Sequence, residues 1–198
     1  MNPLEAALRK AASDLDQRGF RWSIVGGFAV SARSNPRFTA DIDIAAAVAD
    51  DAQAEGLVQS LIAAGYQLFA SVEHDNGRLA TVRLKRRIDG VPVVVDLLFA
   101  SSGIEPEIVR AAEPLEIFPG LVVPIARTGH LIALKLLARD DESRPQDSAD
   151  LRSLAAVATA DDIADAAEAI RLITERGFNR DRDLAQLLAG MQGQPSAD

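Results

Sequence analysis

The residues best suited to chemistry lie in the segment Arg37-Phe38-Thr39-Ala40-Asp41-Ile42-Asp43-Ile44. An extended backbone alternates its side chains, so Arg37, Thr39, Asp41 and Asp43 share one face while Phe38, Ala40, Ile42 and Ile44 share the other. Pro36 supports an extended start because it pushes Asn35 out of helical geometry. The apolar set can anchor the strand on a core, which leaves two carboxylates side by side on the opposite face. Like charges at that spacing repel unless something positive sits between them. A magnesium ion fits, since it takes a few carboxylate oxygens together with phosphate oxygens and water; manganese is a second option. A solvated acidic strand is the alternative reading.

Asp96 sits in Val93-Val94-Val95-Asp96-Leu97-Leu98-Phe99, where every neighbour favours burial. A charge there needs a partner. Either an arginine pairs with it or it reaches a metal at the sheet end. Upstream, Gly26-Gly27 follows the β-like run 20–25 and opens a helical stretch. A glycine pair lets the backbone approach a ligand closely, and a helix N-terminus offers N–H groups to phosphate. The same pair can equally be a tight strand-to-helix connection.

These residues need a scaffold, and the pattern supplies one. Apolar positions recur at helical spacing over 4–15 with Gly19 as a stop, then strand 20–25, a helix to about residue 33, strand 38–48, helix 50–64 closed by Gly65, and strand 66–72. The β-rich runs 79–85 and 91–99 flank Asp89-Gly90, a strong hairpin signal that places the second strand inside the sheet. From about residue 127 onward the pattern is helical: 128–139 with Thr128 as cap, 146–157 with Pro145 in its first turn, 161–176 ended by Gly177, and 181–188. The expected fold is α/β (α+β), with a mixed-sheet lobe over 1–125, a helical lobe over 126–190 and a flexible tail over 191–198.

Within the helical part, Lys135 interrupts Leu131-Ile132-Ala133-Leu134-Lys135-Leu136-Leu137, and Asp147 and Asp150 share a helix face three residues apart. Lys135 either snorkels at a helix edge or points into a site. The aspartates can engage it if the helices are neighbours, as an ion pair that fixes the lobes or as part of the site.

Composition narrows the class. The 198 residues are 48% hydrophobic and 25% charged, enough for a core of its own, and the chain has no cysteine for a disulfide framework. The N-terminus carries no signal-peptide pattern and no apolar run reaches membrane-spanning length, so a cytoplasmic protein with no membrane partner is expected. A net charge of -8 argues against broad adhesion to nucleic acid or anionic lipid. The run Arg83, Lys85, Arg86, Arg87 is a local exception, either a basic patch or a solvated hairpin edge. The two histidines, His74 and His130, are too few for a histidine metal site and are read as structural.

Gly26-Gly27, then Asp41-Ile42-Asp43, then Asp96 in a following strand resembles the polymerase-β-type nucleotidyltransferase superfamily. More narrowly, Val25-Gly26-Gly27-Phe28-Ala29-Val30 with Arg37-Phe38-Thr39-Ala40-Asp41, together with 131–135 and Arg144-Pro145-Gln146-Asp147-Ser148-Ala149-Asp150-Leu151, resembles the AbiEii-type nucleotidyltransferase toxins, including the MenT group. The resemblance spans residues 20–155. It implies an enzyme of a toxin–antitoxin system that moves NMP from NTP, releases pyrophosphate and modifies an RNA acceptor, the tRNA 3′ end in the MenT group, so arresting translation. Carried over by position, Gly26 and Gly27 hold phosphates, Asp41, Asp43 and Asp96 hold the metal, and Lys135, Asp147 and Asp150 form the second-lobe part of the site, with Lys135 near the nucleotide. Gly-Gly stands where many members have Gly-Ser, which leaves Arg37 or Thr39 to supply the missing phosphate contact. In relatives a hydroxyl residue two positions before the first metal aspartate can be phosphorylated by the cognate antitoxin, which would make Thr39 a switch.

In the implied mechanism two metal ions activate the acceptor hydroxyl and stabilise the leaving pyrophosphate, with Asp41 and Asp43 bridging them and Asp96 binding the catalytic ion and taking the proton. Two other readings stay open: a nucleotidyltransferase acting on a small molecule or a protein hydroxyl, and a non-catalytic nucleotide-binding module of the same fold.

Overall fold

The computed structural model describes residues 2–75, 77–139 and 145–192. Arg144 of the second motif and residues 193–198 of the expected tail lie outside them. Helix α1 (Pro3–Gln17) starts where the Leu4 N–H donates to the Asn2 side chain at 3.1 Å and where Pro3 takes a first-turn position. Its buried stripe is Ala7, Leu8, Ala11, Ala12 and Leu15, and Gly19, at φ +70°, turns the chain into β1 (Arg21–Val25). Then follow α2 (Gly26–Arg33), β2 (Asp41–Ala47), α3 (Asp51–Ala63), β3 (Gln67–Glu73), β4 (Leu79–Ile88) and β5 (Val91–Leu98), in the expected order.

Asp89 and Gly90 both have positive φ, as the tight two-residue hairpin requires, and the strands they join pair from Ile88–Val91 down to Thr81–Leu98. The seven-stranded mixed sheet has the order β3-β4-β5-β2-β1-β7-β6. Strand β2 runs antiparallel to β1 and parallel to β5, which is the pairing that brings the acidic strands together. Pro92 sits in the second position of β5 on the hairpin end, clear of the buried middle of the strand.

Three elements lie outside the sequence pattern: α4 (Glu105–Ala111), β6 (Glu113–Phe118) and β7 (Leu121–Ile125). Strand β7 lies parallel to β1 and pairs with β6 across the Pro119-Gly120 turn, so the sheet extends two strands beyond β1. Helices α5 (Thr128–Ala138), α6 (Pro145–Val157), α7 (Ala160–Glu175) and α8 (Leu184–Gln192) follow, with α5 packed against the other three and α2 touching α5 and α6. Thr128 is the first residue of α5 and not its cap; Arg127 holds that position without a side-chain bond. The cap signal is clean instead at α7, where Thr159 and Asp162 form a reciprocal capping box. Gly129 lets α5 cross α7 closely, since a Cβ there would lie 2.4 Å from the Asp162 carbonyl. Helix α8 runs past the expected 181–188 segment to Gln192, so Met191 and Gln192 of the expected tail are helical.

Candidate functional site

The register of β2 against β5 sets Asp43 beside Asp96 and Asp41 beside Val94. Directly paired residues share a sheet face, so Asp41, Asp43 and Asp96 point the same way, while Ile42 and Ile44 are fully buried on the other side. One carboxylate oxygen from each of the three lies within 4.8 Å of the others. Among the described residues this is the one group of three or more acidic or histidine side chains close enough to share an ion.

Crowding leaves an electrostatic signature. Burial, reinforced by the charges of Asp41 and Asp96, pushes the Asp43 carboxyl up to about 7, against the opposing pull of Lys135 and of the Gly27 N–H. A divalent cation removes that penalty, and the three oxygens offer the acidic set that magnesium accepts.

Asp96 has both partners that its sequence context allows. It belongs to the acidic group, and Arg83, directly opposite on β4, grips it with two bonds: Nε to Oδ1 at 2.8 Å and Nη2 to Oδ2 at 2.6 Å. The bond to Asp96 is also the main reason the Arg83 guanidinium is held even more firmly protonated than usual. The basic run is visible in the sequence, but its composition alone does not single out Arg83 as the partner.

The glycine pair is required by what surrounds it. Gly26 has φ +61°, and a Cβ there would fall 1.8 Å from Asp43 Oδ2. A Cβ on Gly27 would meet Thr39 Oγ1 at 2.7 Å and Arg37 Nη2 at 2.8 Å. A serine at 27 therefore has no room: Thr39 and Arg37 already fill that space. Thr39 is buried, and its hydroxyl donates to Asp41 Oδ1 at 3.2 Å.

Arg37 clamps Asp150, with Nε to Oδ1 at 2.6 Å and Nη2 to Oδ2 at 2.8 Å. Lys135 Nζ reaches Asp147 at 2.7 Å and Asp150 at 2.8 Å, and its side chain is only 12% exposed. Lys135 is thus enclosed in an ion cluster and does not snorkel. Burial alone would raise the Asp150 carboxyl, but hydrogen bonds from Arg37, Lys135 and Gln146 outweigh it and hold it below the usual range. The structure so brings all ten candidate residues into one region: Gly26 against Asp43, Gly27 against Arg37 and Thr39, Arg37 against Asp150, and Asp150 with Asp147 on Lys135.

The histidines stand apart. A ring nitrogen of His74 lies 2.7 Å from the Ala100 carbonyl, and the ring packs edge-on against Phe178. His130 is shifted down, mainly by burial, and faces Asp165, Arg127 and Glu107.

Comparison with known proteins bears on the family and the fold. A family model described as "Nucleotidyl transferase AbiEii toxin, Type IV TA system" matches residues 12–194. An antigenic nucleotidyltransferase-like protein from Paracoccidioides brasiliensis has the same fold at a TM-score of 0.58 and 18% identity, covering 95% of this chain and 93% of its own. The lincosamide antibiotic adenylyltransferase LnuA, with lincomycin bound, aligns at a TM-score of 0.50 and 15% identity over 78% of this chain and 98% of its own. MenT4, a nucleotidyltransferase toxin from Mycobacterium tuberculosis H37Rv, aligns at a TM-score of 0.45 and 16% identity over 96% of this chain and 95% of its own. No curated protein matches the sequence.

Proposed function

Because the chain belongs to the AbiEii nucleotidyltransferase toxin family of type IV toxin–antitoxin systems, we propose that it transfers NMP from an NTP to a hydroxyl of an RNA acceptor, the 3′ end of a tRNA, releasing pyrophosphate and arresting translation. The observation that carries this reading is the convergence of three carboxylates within 4.8 Å beside a glycine turn too tight for any side chain. Asp41, Asp43 and Asp96 would hold magnesium, or manganese, which supplies positive charge to the phosphate oxygens.

The chain's own groups then have distinct tasks. Gly26 and Gly27 let Asp43, Thr39 and Arg37 pack against the start of α2, whose N–H groups would face the triphosphate. The acceptor hydroxyl oxygen forms a bond to the α-phosphorus, the bond from that phosphorus to the bridging oxygen breaks, and pyrophosphate departs with the electron pair. The hydroxyl proton passes to Asp96, whose oxygens each keep a lone pair beyond the Arg83 bond. Lys135, Asp147, Asp150 and Arg37 hold helices α5 and α6 against the segment that leads into β2 and so fix Gly27 and Thr39 beside the acids.

A cognate antitoxin partner follows from the family, and Thr39 is the point at which phosphorylation would act. Its hydroxyl already touches Asp41, so a dianionic phosphate there would set two more negative charges against the acidic group. No helix among the described residues is long and apolar enough to cross a membrane, and we place the protein in the cytoplasm.

Incubation with each labelled NTP, magnesium and total cellular RNA tests the reading. Label in the tRNA fraction, abolished by Asp41→Ala, is the expected result. Label in protein or in a small molecule would keep the chemistry and replace the acceptor; no incorporation into any fraction would leave a nucleotide-binding module.

A further inference from the structure

The acidic group divides the open sheet face into two sides. Toward β1 lie the glycine turn, Thr39, Arg37 and the Lys135 cluster, which together take up the nucleotide side. Toward β4 the surface has an opposite character. Alternation along β4 puts Arg83, Lys85 and Arg87 on the face that carries Asp96, because Arg83 pairs with Asp96, Lys85 with Val94 and Arg87 with Pro92. The same register lines Lys85 up across two strand spacings, roughly 10 Å, with Asp41. The run of four cations is therefore split by the pleat: Arg86 turns to the other face, donating to the Ala64 carbonyl at 2.7 Å and lying 4.8 Å over the Tyr66 ring.

The edge strand β3 adds exposed apolar surface to that basic row. Phe69 is 59% exposed, with Lys85 Nζ 3.2 Å from its ring centre, and Val72 is 58% exposed. Past Arg83, the face continues through Thr81 and Val72 into a cavity of about 720 Å³ that Phe178 also lines. A row of cations ending at the acidic group, on a protein whose net charge is -8, with an exposed aromatic ring beside it, complements a polyanion whose bases are unstacked. It repels a cationic acceptor.

We propose that the open face of β3 and β4 is the docking track for the single-stranded 3′ end of an RNA acceptor, with Lys85 and Arg87 on its phosphates and Phe69 stacked on a base. This rests on the nucleotidyl-transfer reading above. The terminal hydroxyl then reaches the carboxylates from the β4 side, opposite the triphosphate, as an in-line displacement requires.

Two measurements on the full-length protein test the track: fluorescence anisotropy of a labelled 12-nucleotide single-stranded RNA, read as Kd against salt, and steady-state transfer with RNA varied. Lys85→Glu combined with Arg87→Glu is expected to weaken RNA binding at least about 10-fold at low salt and to flatten the salt slope by about 1.4, near 0.7 for each phosphate no longer neutralised. Phe69→Ala is expected to weaken it about 10-fold with an unchanged slope, since stacking is not ionic. Binding of a fluorescent NTP analogue and kcat at saturating RNA should stay at the parent values. Arg110→Glu combined with Arg171→Glu, on α4 and α7, changes net charge equally and should leave RNA affinity within about 2-fold.

The track is overturned if the β4 reversal leaves Kd and slope unchanged, if the control pair costs as much, or if the parent protein does not bind the RNA. These outcomes are separate from the fate of the transfer reading. Transfer to RNA by a parent whose KM for RNA ignores Lys85, Arg87 and Phe69 removes the track and keeps the reaction. Binding through the track without incorporation of any label does the reverse.

Discussion

Two clusters of buried charge lie side by side in this molecule, and they differ in how they are balanced. In one, Asp147 and Asp150 meet Lys135 and Arg37, two negative charges against two positive among the described residues, with bonds of 2.6 to 2.8 Å. In the other, Asp41, Asp43 and Asp96 have one cation among the described residues, Arg83, which holds Asp96. The first satisfies itself and fixes helices to sheet. The second is left two charges short, and burial, reinforced by its like-charged neighbours, raises its Asp43 carboxyl to about 7. An acidic cluster that the protein does not neutralise asks for an external cation; a neutralised one does not.

The largest expected effect breaks the uncompensated cluster. Asp41→Ala or Asp43→Ala should lower transfer roughly 10³-fold, since several kcal/mol of charge stabilisation disappear at the reacting phosphate. The melting temperature should hold or rise, because a like charge has been removed. A variant that kept its activity would sink the assignment of these carboxylates. The balanced cluster should respond the other way round. Asp150→Ala strands Lys135 and Arg37 without their shared acceptor and should destabilise by about 3 kcal/mol, or roughly 10 °C in melting temperature for a chain of this size. Any drop in activity should then follow the drop in folded protein, which circular dichroism and kinetics on one sample can separate.

How far this contrast is legible in the sequence depends on the residue. The shared face of Asp41 and Asp43 follows from period two, and the helix stops at Gly19 and Gly65 follow from positive φ, so both are readable. The partnership of Arg83 with Asp96 is readable too, although it takes a count of register that composition does not prompt. A two-residue Asp89-Gly90 turn pairs residue 88 with 91, and counting back along both strands sets 83 opposite 96. The parallel pairing of β2 with β5 is not readable in that way, because no short turn fixes the register of strands so far apart in sequence. Strands β6 and β7 carry a Pro119-Gly120 turn signal, but Pro114 and Pro124 inside them speak against strands. The roles of Arg37 and Gly27 need three dimensions, since only the structure shows that the arginine fills the space a serine would take.

The two clusters should also separate by pH. In the metal-free protein the Asp43 carboxyl sits near 7 against an ordinary 3.8, so the folded state binds more protons between those values. Stability should therefore fall as pH rises from about 4 to about 7, by up to about 4 kcal/mol, and remain low above. Asp150 runs in the opposite direction: its folded value lies below 3.8, so its contribution is present above that pH and disappears as acid takes the carboxylate through its folded value. Urea titrations from pH 3 to 9 should show both limbs. Asp43→Asn should flatten the upper limb only, and magnesium at pH 8 should restore the stability that the metal-free parent lacks there. An upper limb that survives Asp43→Asn would place the titrating group elsewhere.

The smallest effect tests whether Arg83 belongs to the balance at all. Its guanidinium is 45% exposed, so water screens it and its pairing with Asp96 contributes about 1 kcal/mol. Arg83→Gln removes one positive charge and returns the acidic group to three uncompensated carboxylates. Two consequences should follow with opposite signs: the metal-free protein melts slightly lower, and manganese, titrated calorimetrically at low salt, binds about 5-fold tighter. Asp96→Asn should weaken manganese binding in the same assay, which shows that the calorimeter reads this group. Should Arg83→Gln weaken binding as well, the arginine's part is to hold Asp96 in its ligand pose, and the deficit of charge that distinguishes the two clusters is three rather than two.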